Sequence, residues 1–354
     1  MSSRAHSVAD APANSPGAIP GVKRAALPKM LAPELATLVD AVPAGKDWLH
    51  EVKYDGVRIL CRIDHGSARA YSRNGKDWTA KFATVAEAAA QLPLHSAWID
   101  GELCMVNTRG VTSFQALQNA LAEPTSGKLV YFVFDLVHFD GYDLSRVALR
   151  ERKRWLRRVV PDEGEVVRYG VEAKGPGGAF LQQACKRGLE GIICKRVDSA
   201  YRAGERTRDW LKVKCSQRQE MVIGGFTDPQ GTRSEFGALL LGVYAPDGTL
   251  RYSGKVGTGF DEQTLHSVRR ELDKLVRDTP PFADPPRGAQ ARGVHWVKPQ
   301  LVAEIAFTEW TRDGTLRHPS FQGLREDKRA REVVRERPAV GGAAKHKRGL
   351  HDHR

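Results

Sequence analysis

Apolar and polar positions follow two textures along the chain. Up to about residue 216 both helical and strand periodicities occur. Val57, Ile59, Cys61 and Ile63 alternate with Arg58, Leu60 and Arg62, which predicts a strand. Just before it, Glu51 and Lys53 stand two apart and leave one face of an extended segment, so the Asp55-Gly56 turn between the two segments predicts a hairpin. Residues 33–40 predict a short helix with Leu35, Leu38 and Val39 on one face. Thr79 is placed to cap a helix carrying Phe82, Val85, Ala86 and Ala89 at helical spacing. Residues 98–106, 129–137, 192–194 and 210–214 read as strands, and 149–160 and 180–186 as helices, the second stopped by Gly188. In 210–214 Leu211 and Val213 face one way and Lys212 and Lys214 the other, a face suited to water or an anion. From about residue 217 short strands dominate (221–226, 237–244, 250–256, 301–310), interrupted by one helix with Leu265, Val268, Leu272 and Leu275 on a single face. The expected architecture is an α+β domain followed by a small Greek-key β-barrel.

Composition adds partners and tails. A chain of 354 residues implies two domains, here 28–216 and 217–337, between a disordered leader at 1–27 and a basic tail at 338–354. No apolar run approaches a membrane span and no signal-peptide core opens the chain, so no membrane contact and a cytoplasmic, nucleoid-associated location are expected. Cys61, Cys104, Cys185, Cys194 and Cys215 are dispersed without a Cys-x-x-Cys pair, which predicts neither a disulfide framework nor a zinc site. The formal charge of +13 points to a polyanion, nucleic acid first. The tail accounts for part of that charge, but not for lysines inside the strands.

The chemistry lies in an ordered set of short blocks. Lys53-Tyr54-Asp55-Gly56-Val57-Arg58 is followed by Ser72-Arg73-Asn74-Gly75, Asp100-Gly101-Glu102-Leu103 and Phe134-Asp135-Leu136. Then come Glu190-Gly191-Ile192-Ile193-Cys194-Lys195 and Lys212-Val213-Lys214. A lysine amine becomes a nucleophile when burial or neighbouring cations lower its pKa. Each block alone is weak: Asp100-Gly101-Glu102 is more often a turn, and Phe134 alone more often core. Lys255-Val256-Gly257-Thr258-Gly259 lies between strands with no helix opening after it, so it reads as a hairpin rather than a phosphate loop. His346, His351 and His353 read as a solvated tail.

In this order and spacing the set resembles the covalent nucleotidyltransferases, specifically ATP-dependent DNA ligases. The branch it resembles is the ligase module of bacterial ligase D, over about residues 27–337. Residues 236–242 and 255–260, and the late block Leu324-Arg325-Glu326-Asp327-Lys328, carry that closer likeness. The resemblance implies an ATP-grasp-like adenylation domain followed by an OB-fold barrel. Lys53 would attack the α-phosphate of ATP, with a pKa depressed by the surrounding lysines. Glu51 would accept from the adenine amino group, Phe134 would stack on the ring, and Arg58 and Arg73 would hold ribose or phosphates. Glu102 and Glu190 would bear on ribose and on Mg²⁺ or Mn²⁺, for which Gly191 must bend its strand. Lys195, Lys212 and Lys214 would surround the α-phosphate, and Arg325 and Lys328 would reach the pyrophosphate, with residues 215–219 as hinge. The substrate would be nicked or broken duplex DNA in end joining and repair, the protein a monomer, and Ku a candidate partner. Polymerase and phosphoesterase blocks, often fused to ligase D, do not occur in these residues, so a stand-alone ligase and a fragment both fit. RNA sealing or capping, and a silent DNA-end binder, are the alternatives.

Overall fold

The chain changes sheets immediately after Lys53. In the computed structural model, which describes residues 16–122, 127–173, 175–229 and 234–339, the strand Trp48–Lys53 is one edge of a four-stranded sheet. Its neighbours run Gly191–Arg196, Arg206–Lys214 and Leu35–Leu38. Four residues past Lys53, Val57–Asp64 enters an eight-stranded sheet between Ser96–Val106 and Ser67–Ser72. The predicted hairpin therefore does not form, because its two arms belong to different sheets. Packing decides this: a Cβ at Gly56 would fall 2.2 Å from the Leu103 carbonyl oxygen, so glycine lets the corner press against the Ser96–Val106 strand.

Strand alternation then sorts the core. Ile59, Cys61 and Ile63 point to one side of the large sheet, under the helices Ala83–Ala90 and Leu149–Val159, with Val85, Ala89, Trp155 and Leu156. Leu60 points to the other side and meets Trp98, Phe134, Val137, Tyr201 and Trp210, which fill the space between the two sheets. The helix Gly177–Lys186 covers the back of the small sheet, taking up Ile192, Cys194, Leu211 and Val213. That leaves Lys212 and Lys214 on the front.

Beyond Lys214 the strand Gln217–Thr227 begins a β-rich domain. It pairs through its first half with Val302–Phe307, through its second with Val294–Val297, and along its other edge with Leu239–Tyr244. The helix Glu262–Asp273 adds Leu265, Val268 and Leu272 to that domain's core.

Several local expectations are corrected. Residues 33–40 form no helix: Leu35–Leu38 pairs in parallel with Arg206–Lys214, and Glu34 beside it is buried, accepting from Thr207 Oγ1 at 2.7 Å and Arg202 N at 2.9 Å. Tertiary pairing there overrides a short local periodicity. Thr79 caps no helix; its hydroxyl accepts from Ala70 N at 3.1 Å, and the helix starts after Phe82. The expected leader is ordered from residue 16, with Ile19 in the core and Lys23–Arg24 paired to Tyr142–Asp143. Its first part, and the basic tail from residue 340 with His346, His351 and His353, lie outside the described residues. Cys185 and Cys215 form a disulfide, against the expectation of none. The helix carrying Cys185 folds back on the small sheet and brings the two Cα atoms to 5.2 Å, a proximity that dispersed sequence positions do not reveal.

Candidate active site

Three rungs of the small sheet build the site. Lys53, Gly191 and Lys214 stand opposite one another across three strands; two residues along stand Glu51, Ile193 and Lys212; two further along stand Leu49, Lys195 and Trp210. The period of two turns one face of these rungs to the front, where Lys53, Lys214, Glu51, Ile193, Lys212, Lys195 and Trp210 line one cleft with Arg58, Arg73, Glu102, Phe134 and Glu190. Gly191 has φ +154°, and a Cβ there would lie 2.1 Å from the Val213 carbonyl oxygen. That glycine bends the strand as expected and brings Glu190, just before it, to the same face as Lys53.

The first rung is an ion pair. Lys53 Nζ lies 2.5 Å from Glu190 Oε2. Burial alone would lower the lysine's pKa, but Glu190 outweighs it and the pKa is raised, so the depressed pKa expected for the nucleophile is not what this state shows. Glu190 in turn is lowered, since Lys53 and Lys214 overcome its burial. Glu102 has no ion pair among the described residues, and burial pushes it up to about 7 against the pull of Arg58 and Lys53.

Lys195 stands on the far rung, in the same cleft as Lys212 and Lys214 and one rung beyond Lys212. It lies about 13 Å along the strand from the Lys53 rung, with Nζ 2.7 Å from Glu51 Oε2 and 3.9 Å and 4.3 Å from the centres of the Trp210 and Phe134 rings. Arg58 lies 4.6 Å from the same Phe134 ring and holds Asp100 through two bonds of 2.5 and 2.6 Å. Arg73 lines the cleft with no ion pair among the described residues.

Two residues escaped the sequence reading. Lys153 donates to Glu51 Oε1 at 2.6 Å and to the Phe134 carbonyl at 3.3 Å, so Glu51 is gripped by a lysine on each oxygen. Its helix looks solvated by composition, yet Lys153 is 5 % exposed. The available signal was spacing: Arg152, fully buried on Asp135, stands four residues before Leu156. Glu336 bridges Lys212 at 2.6 Å and Lys214 at 3.0 Å, and its position after a run of basic residues hid it.

The β-rich domain closes the cleft. Arg325 and Lys328 both line it, Arg325 held by Asp327 at 2.8 Å and Lys328 by Glu220 at 2.6 Å. Arg218, in the expected hinge, reaches Asp55 at 2.8 Å, and Asn74 donates to the Asp327 carbonyl at 2.8 Å.

A half-buried lysine beside two carboxylates, faced by cations from two domains, is a nucleotidyl-transfer layout, and similarity to known proteins decides the family. The family described as "ATP dependent DNA ligase domain" matches residues 29–214, and "ATP dependent DNA ligase C terminal region" matches residues 232–328. The chain belongs to the ATP-dependent DNA ligases. It is 45 % identical over 316 residues to the multifunctional non-homologous end joining protein LigD of Pseudomonas aeruginosa, covering 88 % of this chain and 37 % of that one. To the corresponding DNA repair protein of Mycobacterium tuberculosis it is 39 % identical over 311 residues, covering 86 % of this chain and 40 % of that one. The chain thus spans about two-fifths of the length of these relatives. A solved mycobacterial DNA ligase D, complexed with ATP and MES, is 36 % identical with a TM-score of 0.66, over 86 % of this chain and 98 % of that one. In this cleft burial lowers the pKa of Lys212 to about 8 in spite of Glu336.

Proposed function

We propose that this chain seals 5′-phosphate/3′-hydroxyl breaks in duplex DNA through a lysyl-AMP intermediate on Lys53, in non-homologous end joining. The observation that carries this reading is the first rung, which holds one amine between Glu190 and Lys214 at the seam of two sheets. The end-joining context comes from the relatives' names, and a monomer with Ku as partner accompanies it by resemblance. Domain limits at 28–216 and 217–337 belong to the same reading, the hinge falling between Lys214 and Gln217.

The steps follow from the residues. Lys53 Nζ forms a bond to the α-phosphorus while the bond to the β-phosphate oxygen breaks and pyrophosphate leaves. The amine must be neutral for this, and Glu190 Oε2, at 2.5 Å, is the proton acceptor in reach. The phosphorus–nitrogen bond then breaks as a DNA 5′-phosphate oxygen takes the AMP. Finally the 3′-hydroxyl oxygen attacks that 5′-phosphate and AMP departs. Lys212 and Lys214 offset charge on the α-phosphate, and Arg325 and Lys328 the pyrophosphate. Glu51, fixed by Lys153 and Lys195, accepts from the adenine amino group. Stacking on Phe134 requires Arg58 or Lys195 to leave that ring. Among the described residues no set of three or more His, Cys, Asp and Glu gathers for a metal, so an all-protein cage is not the fit. Two cleft carboxylates, Glu102 and Glu190, would hold Mg²⁺ or Mn²⁺, which would supply charge neutralisation there.

Incubation with α-labelled ATP and Mg²⁺, a denaturing gel, and a chase with nicked DNA test the reading. Label is expected on the parent protein, absent in Lys53→Arg, and lost from the protein as the nick is sealed. If mass spectrometry shows the purified chain already carrying AMP, pyrophosphate should clear it and restore labelling. An unmodified chain that takes no label ends the proposal.

A further inference from the structure

The segment after the last long strand of the β-rich domain runs across the cleft as a strap with an anchor at each end. Its start is tied to the β-rich domain, where Tyr244 N donates to the Val333 carbonyl at 2.8 Å. Gln219 grips it from both sides, donating through Nε2 to the Val334 carbonyl and accepting the Glu336 N–H on Oε1, each at 3.0 Å. Arg335 lies 4.3 Å from the centre of the Trp310 ring. The far end crosses to the adenylation domain, where Ala339 N donates to the Leu38 carbonyl at 2.9 Å. Leu38 stands opposite Lys212 in the sheet, so the strap is held within reach of the lysine pair.

Between these anchors hangs one carboxylate. Glu336 places an oxygen 2.6 Å from Lys212 Nζ and the other 3.0 Å from Lys214 Nζ. Two lysines bridged by two oxygens of one anionic group are bound as they would bind two non-bridging oxygens of a phosphate. Glu336 is pulled down to about 2 by the two lysines, in spite of burial, so it is charged whenever the enzyme works. Its side chain keeps 20 % exposure, and those of the lysines 15 % and 10 %, which leaves water a route to the contact.

We propose that Glu336 is an internal competitor of ATP: its carboxylate occupies the two lysines that receive the α-phosphate and must leave them before the triphosphate seats. The proposal rests on the reading that Lys212 and Lys214 bind that phosphate. Both ligands are anions for one pair of cations, so they exclude each other. The apparent affinity for ATP is reduced by the fraction of molecules in which the lysines are free. Gln219 holds the strap by its backbone and therefore sets that fraction without touching the nucleotide.

The test is single-turnover labelling of Lys53 on the full chain after pyrophosphate treatment, as a function of ATP concentration. Glu336→Gln keeps the side-chain volume and the N–H to Gln219, so its fold is retained. Its KM for ATP should fall by about ten-fold, as for a competent form populated about one part in ten in the parent, while the maximal rate does not fall. Gln219→Ala, which frees the strap, should move KM in the same direction. Lys214→Ala should abolish labelling. If Glu336→Gln leaves KM unchanged or raises it while Lys214→Ala is dead, the competitor role is refuted and the phosphate reading stands. If Lys214→Ala labels like the parent, the phosphate reading itself falls and the proposal goes with it.

Discussion

Glu102 shows how a single carboxylate can be read from its surroundings. Its ordinary value of 4.5 is raised to about 7 by burial, which Arg58 and Lys53 only partly oppose. Between those two values the unfolded chain ionises this group and the folded chain does not, so the group makes stability fall as pH rises from about 4.5 to 7. Glu102→Gln removes that contribution. The melting temperature of the nucleotide-free variant should gain on the parent across this window and keep a constant offset below it; parallel curves throughout would refute the shift. Glu304, also near 7, is present in both proteins and cancels in the comparison. At this scale the sequence was informative where chemistry is local. Glu51 and Lys53, and Lys212 and Lys214, share a face by alternation alone. It was silent on what each charge meets, because Lys195 and Arg58 find their carboxylates on other strands.

Elements were legible when long and misread when short. The twelve-residue strand Lys128–Phe139 and the helix Glu262–Asp273 declare themselves through burial on one or both faces. Leu35–Leu38 has four residues, too few for periodicity to separate helix from strand, and its fate is set by a partner more than 170 positions away. The helix Leu149–Val159 forms where its periodicity predicts it, but its basic composition does not reveal that Arg152 and Lys153 are buried. Removing Lys153 strips a partner from both Glu51 and Glu172, and Lys153→Met should cost about 3–5 kcal/mol in a denaturant titration. Lys81 pairs with Glu326 at a comparable 2.6 Å, but on the surface, and Lys81→Met should cost no more than about 1 kcal/mol. Equal costs would mean that the buried clamp contributes nothing beyond a surface pair.

The whole molecule presents two domains closed on one cleft and a net charge of +13. Charge of that size steers a polyanion and makes its binding a counterion-release equilibrium. Raising salt from about 50 to about 200 mM should therefore depress nick sealing by orders of magnitude, with far less effect on labelling of Lys53 by ATP alone. Equal loss in both assays would place the salt effect in the cleft rather than on the DNA-facing surface. The two-domain plan could be read from the change of texture near residue 217, but not the closure, since the contacts of Arg218 with Asp55 and Asn74 with Asp327 join distant blocks. The placing of Lys53 has a mechanical side as well. It ends one sheet, and four residues later the chain is woven into the other, with only Tyr54, Asp55 and Gly56 between. Lys53 thus behaves like the pin of a caliper whose jaws are the two sheets. A slip of one jaw against the other, from a repacked Trp98 in the core between the sheets, would be transmitted to the amine as a change of reach. Such a lesion would surface as slow chemistry in a protein whose cleft residues are all intact.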